Sequence, residues 1–161
     1  MYTQEITRRH RAAIVIAIDQ SCSMSGRMEL NGWDLSKAEV VSMVVGRLID
    51  ELVMRSHRDG GYRHYYDIAL VGYSGDRVYS LLGEEMTFYP ITMLAGREVP
   101  RTTYALGYRT LRGGTHSFQE EVSQWVKPCA QGATPMHKMI CTVTNLVAEW
   151  CDREENRDSF P

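Results

Sequence analysis

The sequence has few cysteines, few prolines and no excess of either charge. Its 161 residues include 4 cysteines and 5 prolines. The cysteines are scattered without CxxC pairs, which is typical of free thiols in a reducing compartment rather than of a disulfide scaffold. Lys and Arg number 18 against 20 Asp and Glu, so the net charge is −2. That balance lacks the positive excess typical of proteins that bind nucleic acid or acidic membranes, and we expect neither partner.

Long hydrophobic runs are also missing. The longest, Ala12–Ile18, is far shorter than the roughly 18–20 residues of a membrane helix, and no apolar signal-peptide core precedes it. We therefore expect a cytoplasmic protein without a membrane span. A length of 161 residues with 43% hydrophobic content predicts one globular domain, residues 1–161.

Two apolar runs and an amphipathic segment predict an α/β fold. Arg11–Ile18 is rich in β-branched residues, as is typical of a strand buried on both faces of a parallel sheet. Asp67–Tyr73 is a second such run. Between them, Ser36 and Glu39 form an S-x-x-E capping box, which predicts a helix over 37–54. Strand, helix and strand in this order predict a βαβ unit with parallel strands.

Glycines and prolines divide the rest of the chain. Arg77–Leu82 alternates enough to predict a short edge strand paired with the second strand. Residues 83–114 contain several such breakers without a clear period and predict a long irregular insertion. A short helix is expected over 117–127. A longer helix is expected to open at Thr134 and to end near Cys151.

The most informative motif is D-x-S-x-S, formed by Asp19, Ser21 and Ser23 after the first strand. Ligands in open α/β sheets gather at the carboxyl ends of the strands. Alternate residues of an extended loop project the same way, so these side chains are expected to converge. A carboxylate and two hydroxyls are hard oxygen ligands of the type that Mg²⁺ prefers. The alternative is a Ser-rich loop that only bonds its own backbone and caps the next helix.

The segment Asp19–Gly26, DQSCSMSG, resembles the metal ion-dependent adhesion site of von Willebrand factor A (vWA) domains, D-x-S-G-S-M-x-G. Cys22 replaces the usual glycine. Gly132–Met136, GATPM, is similar to the G-T-P-[LM] loop of the same family, which makes Thr134 the candidate for a fourth metal ligand. From the residues alone, Thr134 before a proline is an ordinary helix N-cap, and the two roles compete for one hydroxyl.

The resemblance runs from about Ile14 to Trp150 and is closest to stand-alone bacterial members. It implies an open, mostly parallel sheet flanked by helices. It also implies a binding module without enzymatic activity, in which Mg²⁺, or alternatively Mn²⁺ or Ca²⁺, is held by the D-x-S-x-S residues and Thr134. This cation would coordinate an Asp or Glu of a protein partner. The resemblance further suggests a role in assembling or regulating other proteins.

One element of the family is missing. A strand ending in T-D-G, whose Asp supports the metal, does not follow Thr134. Asp152 and Asp158 come after a helix rather than a strand, and we assign that role to neither. The sequence therefore resembles a vWA domain that is incomplete at its C-terminus. In such a domain the missing strand would pair with Ala12–Ile18, so we expect an exposed apolar edge and self-association.

The residues leave other functions open. Asp19 is also a candidate for the phosphoryl-accepting nucleophile of a metal-dependent phosphatase, although a D-x-D after the strand is absent. A purely structural domain without metal is the third alternative. Thr115, in a Gly-Gly-Thr loop, is a rival of Thr134 as the threonine ligand. The 5 histidines have no metal-ligand spacing, so zinc is not expected.

Overall fold

The computed structural model describes residues 5–30, 33–109, 113–157 and 159–160. The strands in these ranges are β1 (Ala12–Asp19), β2 (Arg27–Leu30), β3 (Trp33–Ser36), β4 (His57–Arg58), β5 (Gly61–Tyr62), β6 (Tyr66–Ser74), β7 (Arg77–Ser80), β8 (Tyr89–Pro90), β9 (Arg101–Arg109) and β10 (Thr115–Ser123). The α-helices are α1 (Lys37–Ser56), α2 (Ile91–Ala95) and α3 (Met136–Cys151). Two short 3-10 helices cover Cys22–Ser25 and Glu154–Asn156. The fold is therefore mixed α/β with a small mixed sheet.

The central sheet is built on β6. β1 pairs with β6 in parallel, in a register that runs from Ala12 opposite Tyr66 to Asp19 opposite Tyr73. The βαβ unit predicted from the sequence is confirmed, with α1 as its crossover. β7 and β8 both pair with β6 in the antiparallel direction. The turn at Gly75, with its φ of +63°, sends the chain straight back from β6 into β7. Among the described strands, only the β1 and β6 pair is parallel.

Alternate residues of β6 face opposite sides of the sheet. One cluster, on the side of α1, consists of Ile18, Val45, Ile49, Leu52, Ile68, Leu70, Leu82, Ile91, Leu94 and Val126. The other, on the side of α3, consists of Ala69, Val71, Phe88, Leu146 and Trp150. Because helices cover both faces of the sheet, the two central strands are almost continuously apolar.

Helix α1 begins with the predicted capping box. The Ser36 hydroxyl accepts a hydrogen bond from the Glu39 amide at 3.2 Å, and the Glu39 carboxylate accepts one from the Ser36 amide at 2.7 Å. The far side of α1 lies against β10 at Gly46, where a Cβ atom would be 2.7 Å from Val122 Cγ1. Helix α1 therefore lies between the sheet and a second layer.

That second layer corrects two predictions. The helix expected over 117–127 is wrong, because β9 and β10 form a long antiparallel hairpin, with Arg101 opposite Ser123. The irregular insertion over 83–114 contains β8, α2 and β9; its residues 110–112 lie outside the described ranges. Phe118 and Val122 are four residues apart, a spacing that fits one face of a helix and also one face of a strand. Val122 packs with Tyr104 of β9, and this packing favours a strand over a helix here.

The other long side of β1 is paired only at its start in the described part of the chain. Phe160 forms an isolated parallel bridge with Ala12. Its amide donates to Arg11 O, and its carbonyl accepts from the Ala13 amide, both at 2.7 Å. The self-association expected through this edge stays a prediction. No helix in the described residues is long and apolar enough for a membrane span.

Candidate metal centre

The D-x-S-x-S residues form a compact loop at the carboxyl end of β1. Asp19 is the last residue of the strand. Its carboxylate accepts a hydrogen bond from the Ser21 amide at 2.8 Å. The Ser21 and Ser23 hydroxyl oxygens lie 3.0 Å apart. The structure thus brings the Ser21 and Ser23 hydroxyls together, while the Asp19 carboxylate bonds the Ser21 backbone. Convergence of all three side chains on one cation stays a prediction.

The hydroxyls of this loop are not used for helix capping. Ser21 precedes the 3-10 helix Cys22–Ser25, but its side chain makes no capping hydrogen bond. Ser36 has that role at α1. The Ser25 hydroxyl, in contrast, donates to Cys22 O at 2.7 Å. The alternative of a loop that bonds its own backbone thus applies to Asp19 and Ser25, while the Ser21 and Ser23 hydroxyls bond each other.

The loop that precedes Thr134 docks directly on this turn. Gln131 donates its amide to Gln20 O at 2.8 Å, and Cys22 donates its amide to Gly132 O at 2.9 Å. Gly132 has a φ of +76°, and a Cβ atom there would lie 2.7 Å from the Gly75 amide nitrogen. Glycine is therefore needed both for the backbone conformation and for the close approach. Three loops meet at the carboxyl edge of the sheet.

Thr134 is not the helix cap that its position before proline predicted. The N-cap of α3 is Pro135, and no side chain caps this helix end. Thr134 is exposed, and Met136 donates its amide to the Thr134 carbonyl at 2.9 Å. In the described part of the chain the Thr134 hydroxyl makes no hydrogen bond, to Asp19 or to any other group. The structure thus brings the two loops together and leaves this hydroxyl available.

The electrostatics of the loop are dominated by Asp19. Burial of Tyr73, with the nearby Asp19 carboxylate as the second cause, raises the pKa of the Tyr73 hydroxyl above its ordinary value. Asp19 forms no ion pair within the described residues. The carboxylate is therefore not neutralised by a side chain, which favours a cation as its partner.

The donor set fits a small hard cation. It offers one carboxylate and hydroxyl oxygens, which are ligands suited to Mg²⁺ when water completes the coordination. No group of three or more His, Cys, Asp or Glu side chains among the described residues could hold a metal ion. A metal at this edge would thus depend on hydroxyl ligands rather than on a carboxylate cluster.

Sequence reasoning missed Gln20, the unassigned second position of the motif. Gln20 is buried, and its side-chain oxygen accepts a hydrogen bond from the Tyr79 hydroxyl at 2.6 Å. The two residues are 59 positions apart, so no local pattern links them. Its burial and its partner both come from distant parts of the chain, so the sequence alone offers no signal for it.

The remaining candidates are distributed elsewhere. Cys22 is exposed in the 3-10 helix. Asp152 is exposed at the end of α3. The side chain of Thr115, the rival ligand, and the whole of Asp158 lie outside what the structure describes. His137 contacts Cys141 on α3, with 3.8 Å between Nδ1 and Sγ.

Comparison with known proteins gives no relative. No family model matches the chain. Neither a curated protein nor a solved structure matches it.

Proposed function

We propose that this chain is a vWA-like binding module that holds Mg²⁺ with Asp19, Ser21, Ser23 and Thr134. Mn²⁺ and Ca²⁺ are the alternative ions. The observation that carries the proposal is the docking of the Thr134 loop on the Asp19 loop, through the hydrogen bonds of Gln131 to Gln20 and of Cys22 to Gly132. The Thr134 hydroxyl, which makes no helix cap, supports it further. The parallel β1 and β6 pair, with helices on both faces, supports the open vWA-like sheet.

The ligand set determines what the site does. One carboxylate against a divalent cation leaves net positive charge, since the hydroxyl ligands are neutral. When bound, the cation supplies that charge and an exchangeable water position. The residues of this chain would hold the ion at the protein surface, because Ser23 and Thr134 are exposed. A partner Asp or Glu matches this chemistry, and we propose an acidic protein partner in an assembly or regulatory process.

Calorimetric titration with MgCl₂ tests the metal site. The wild-type chain should release or take up saturable heat, and both Asp19→Ala and Ser23→Ala should abolish it. Ser25→Ala is the matched control, because its hydroxyl lies in the same loop but is bonded to Cys22 O, and it should titrate like the wild type. Absence of saturable binding by the wild type, or unchanged binding by Asp19→Ala, would overturn the proposal.

We propose binding rather than catalysis. The phosphatase alternative assigns Asp19 as a nucleophile. It is tested with p-nitrophenyl phosphate and Mg²⁺: turnover by the wild type that Asp19→Asn abolishes would replace the binding module with an enzyme. We also propose a cytoplasmic location, which is supported by the four free cysteines, Cys22, Cys129, Cys141 and Cys151.

A further inference from the structure

A cavity of about 670 Å³ opens beside the candidate metal loop. Its lining includes the buried residues Gln20, Ser74 and Val126, called the floor below, and the exposed Arg77 and Lys127. The volume falls within the range of small-molecule sites, roughly 300–1,000 Å³. A cavity of this size with polar groups on its floor is suited to a small organic ligand.

The charge of the lining favours an anion. Arg77 and Lys127 are its two charged residues, and the other polar groups are amides, hydroxyls and one thiol. Neither cation forms an ion pair within the residues that the structure describes. Two positive side chains without a carboxylate partner attract anionic oxygens, and a guanidinium binds carboxylate or phosphate through paired hydrogen bonds.

The floor of the cavity is fixed before any ligand binds. The Tyr79 hydroxyl donates to Gln20 Oε1 at 2.6 Å and lies 3.2 Å from the Ser74 hydroxyl oxygen. Gly72 lies directly beneath them: a Cβ atom there would be 2.7 Å from Tyr79 Cε2 and 2.9 Å from Gln20 Oε1. Glycine at this position therefore makes room for the pair. A site held in shape by its own hydrogen bonds loses little conformational entropy on binding.

The walls of the cavity add an apolar surface. Trp125 and Leu81 line it and also pack against the core cluster on the α1 side. The Trp125 indole is held in place by its Nε1, which donates to Asp50 at 3.0 Å. A fixed indole beside an aliphatic side chain suits a flat or branched apolar group.

We propose that this cavity binds a small organic anion, with its carboxylate or phosphate group against Arg77 and Lys127 and its apolar body against Trp125 and Leu81. Gln20 belongs to both the cavity and the metal loop, since its side chain lines the first and its carbonyl accepts the Gln131 amide in the second. The anion site needs no metal.

The test is a titration of the ¹⁵N-labelled full chain, in chelator, followed by the indole NH signal of Trp125. That signal is assigned through Trp125→Phe. The probes are benzoate, phenyl phosphate, inorganic phosphate and the neutral benzyl alcohol. We expect saturable shifts with benzoate or phenyl phosphate, and the tighter of the two identifies the head group. Inorganic phosphate and benzyl alcohol should each bind at least about tenfold more weakly, because the first lacks the apolar body and the second lacks the anionic group.

Variants that remove the two positive charges of the cavity give a second test. Arg77→Gln and Lys127→Gln should each weaken binding of the tighter anion about tenfold. Lys138→Gln is the control, because Lys138 is exposed, donates to Asp76 O and does not line the cavity; its affinity should equal that of the wild type. Absence of saturable shifts, equal binding of benzyl alcohol, or an equal loss in Lys138→Gln would overturn the inference. Since chelator removes any metal, failure here is independent of the MgCl₂ titration.

Discussion

Two aspartates lie near opposite ends of the parallel pair of β1 and β6. Asp67, near the start of β6, is only 5% exposed, and its carboxylate contacts the nearby His64 and two side chains from distant parts of the chain. His64 Nε2 lies 2.5 Å away, Trp150 Nε1 donates at 3.1 Å, and Arg11 Nε lies at 3.3 Å. Within the described residues Asp19, at the end of β1, accepts one hydrogen bond, from the Ser21 amide.

The difference indicates that Asp67 stabilises the fold, whereas Asp19 can bind a ligand. A buried carboxylate is tolerated only when it is paired and hydrogen-bonded, and Asp67 meets that condition. Its network also fastens the C-terminal segment, since Arg11 donates to the Asn156 side chain and Asn156 Nδ2 donates to Trp150 O at 2.8 Å. Asp19 contributes little to such cross-linking, so its charge remains free for a ligand.

The largest effect is expected for Asp67→Ala. Removal of the carboxylate leaves the partly buried Arg11 with the more distant and exposed Glu155 as its acidic neighbour, and the free energy of unfolding should fall by about 3–5 kcal/mol. Urea unfolding in metal-free buffer measures it. Asp19→Ala is the paired control and should lose less than about 1 kcal/mol. Similar losses in the two variants would remove the distinction between the two acids.

The next largest effect is expected for Gly132→Ala, at the end of the sheet where Asp19 lies. The new Cβ atom meets the Gly75 backbone in addition to the unfavourable φ of +76°, so we expect a loss of about 3 kcal/mol together with loss of Mg²⁺ binding. Gly113→Ala is the control. Its φ is +83° with nothing within 4 Å, and it should lose only about 1 kcal/mol. Equal losses in urea unfolding would show that the close approach of the loops is unimportant.

A smaller effect is expected for Trp150→Phe. The change keeps a ring against Phe88 but removes the NH that donates to Asp67, and the loss should be about 2 kcal/mol. Trp125→Phe is the same substitution at an indole that donates to the less buried Asp50, and it should lose about 1 kcal/mol. Chemical denaturation that ranks Trp125 above Trp150 would contradict the assignment of Asp67 as the buried anchor.

The smallest effect is expected from pH. Burial on its own raises the pKa of Asp67, but the hydrogen bond and charge of His64, with Trp150 and Arg11, outweigh it and hold that pKa below its ordinary value. Stability from this carboxylate is then complete above the pKa of an unfolded Asp, about 3.9, and is lost as the pH falls through the lower folded value. The urea midpoint should fall with acid in the wild type, and this part of the fall should be absent in Asp67→Asn. An identical pH profile in the variant would contradict the lowered pKa.

Local signals predicted the elements whose causes are local. The βαβ unit and the start of α1 follow from short apolar runs and from Ser36 with Glu39, and the structure confirms both. The hydrogen bond from the Ser21 amide to Asp19 and the contact between the Ser21 and Ser23 hydroxyls also lie within one short loop. These features lie within a few residues of each other, where intrinsic propensity and local hydrogen bonds determine the structure.

The missed features depend on contacts between distant residues. The β9 and β10 hairpin follows from packing of Val122 and Tyr104 on α1, and a spacing of four residues cannot distinguish that from a helix. Arg11 and Asp67 are 56 positions apart in the numbering, so the buried network carries no local pattern. Thr134 lost its predicted cap role because the backbone of Gly132 fixes the preceding loop.

The close contact of Gly46 with β10 has a consequence for cooperativity. Helix α1 is covered on one side by the sheet and on the other by the hairpin, and the absence of a side chain at one position allows the second contact. We therefore expect the hairpin to share the hydrogen-exchange protection of the helix and to unfold with it. A single methyl group at position 46 would divide this cooperative unit into two, with a β-ribbon that opens on its own.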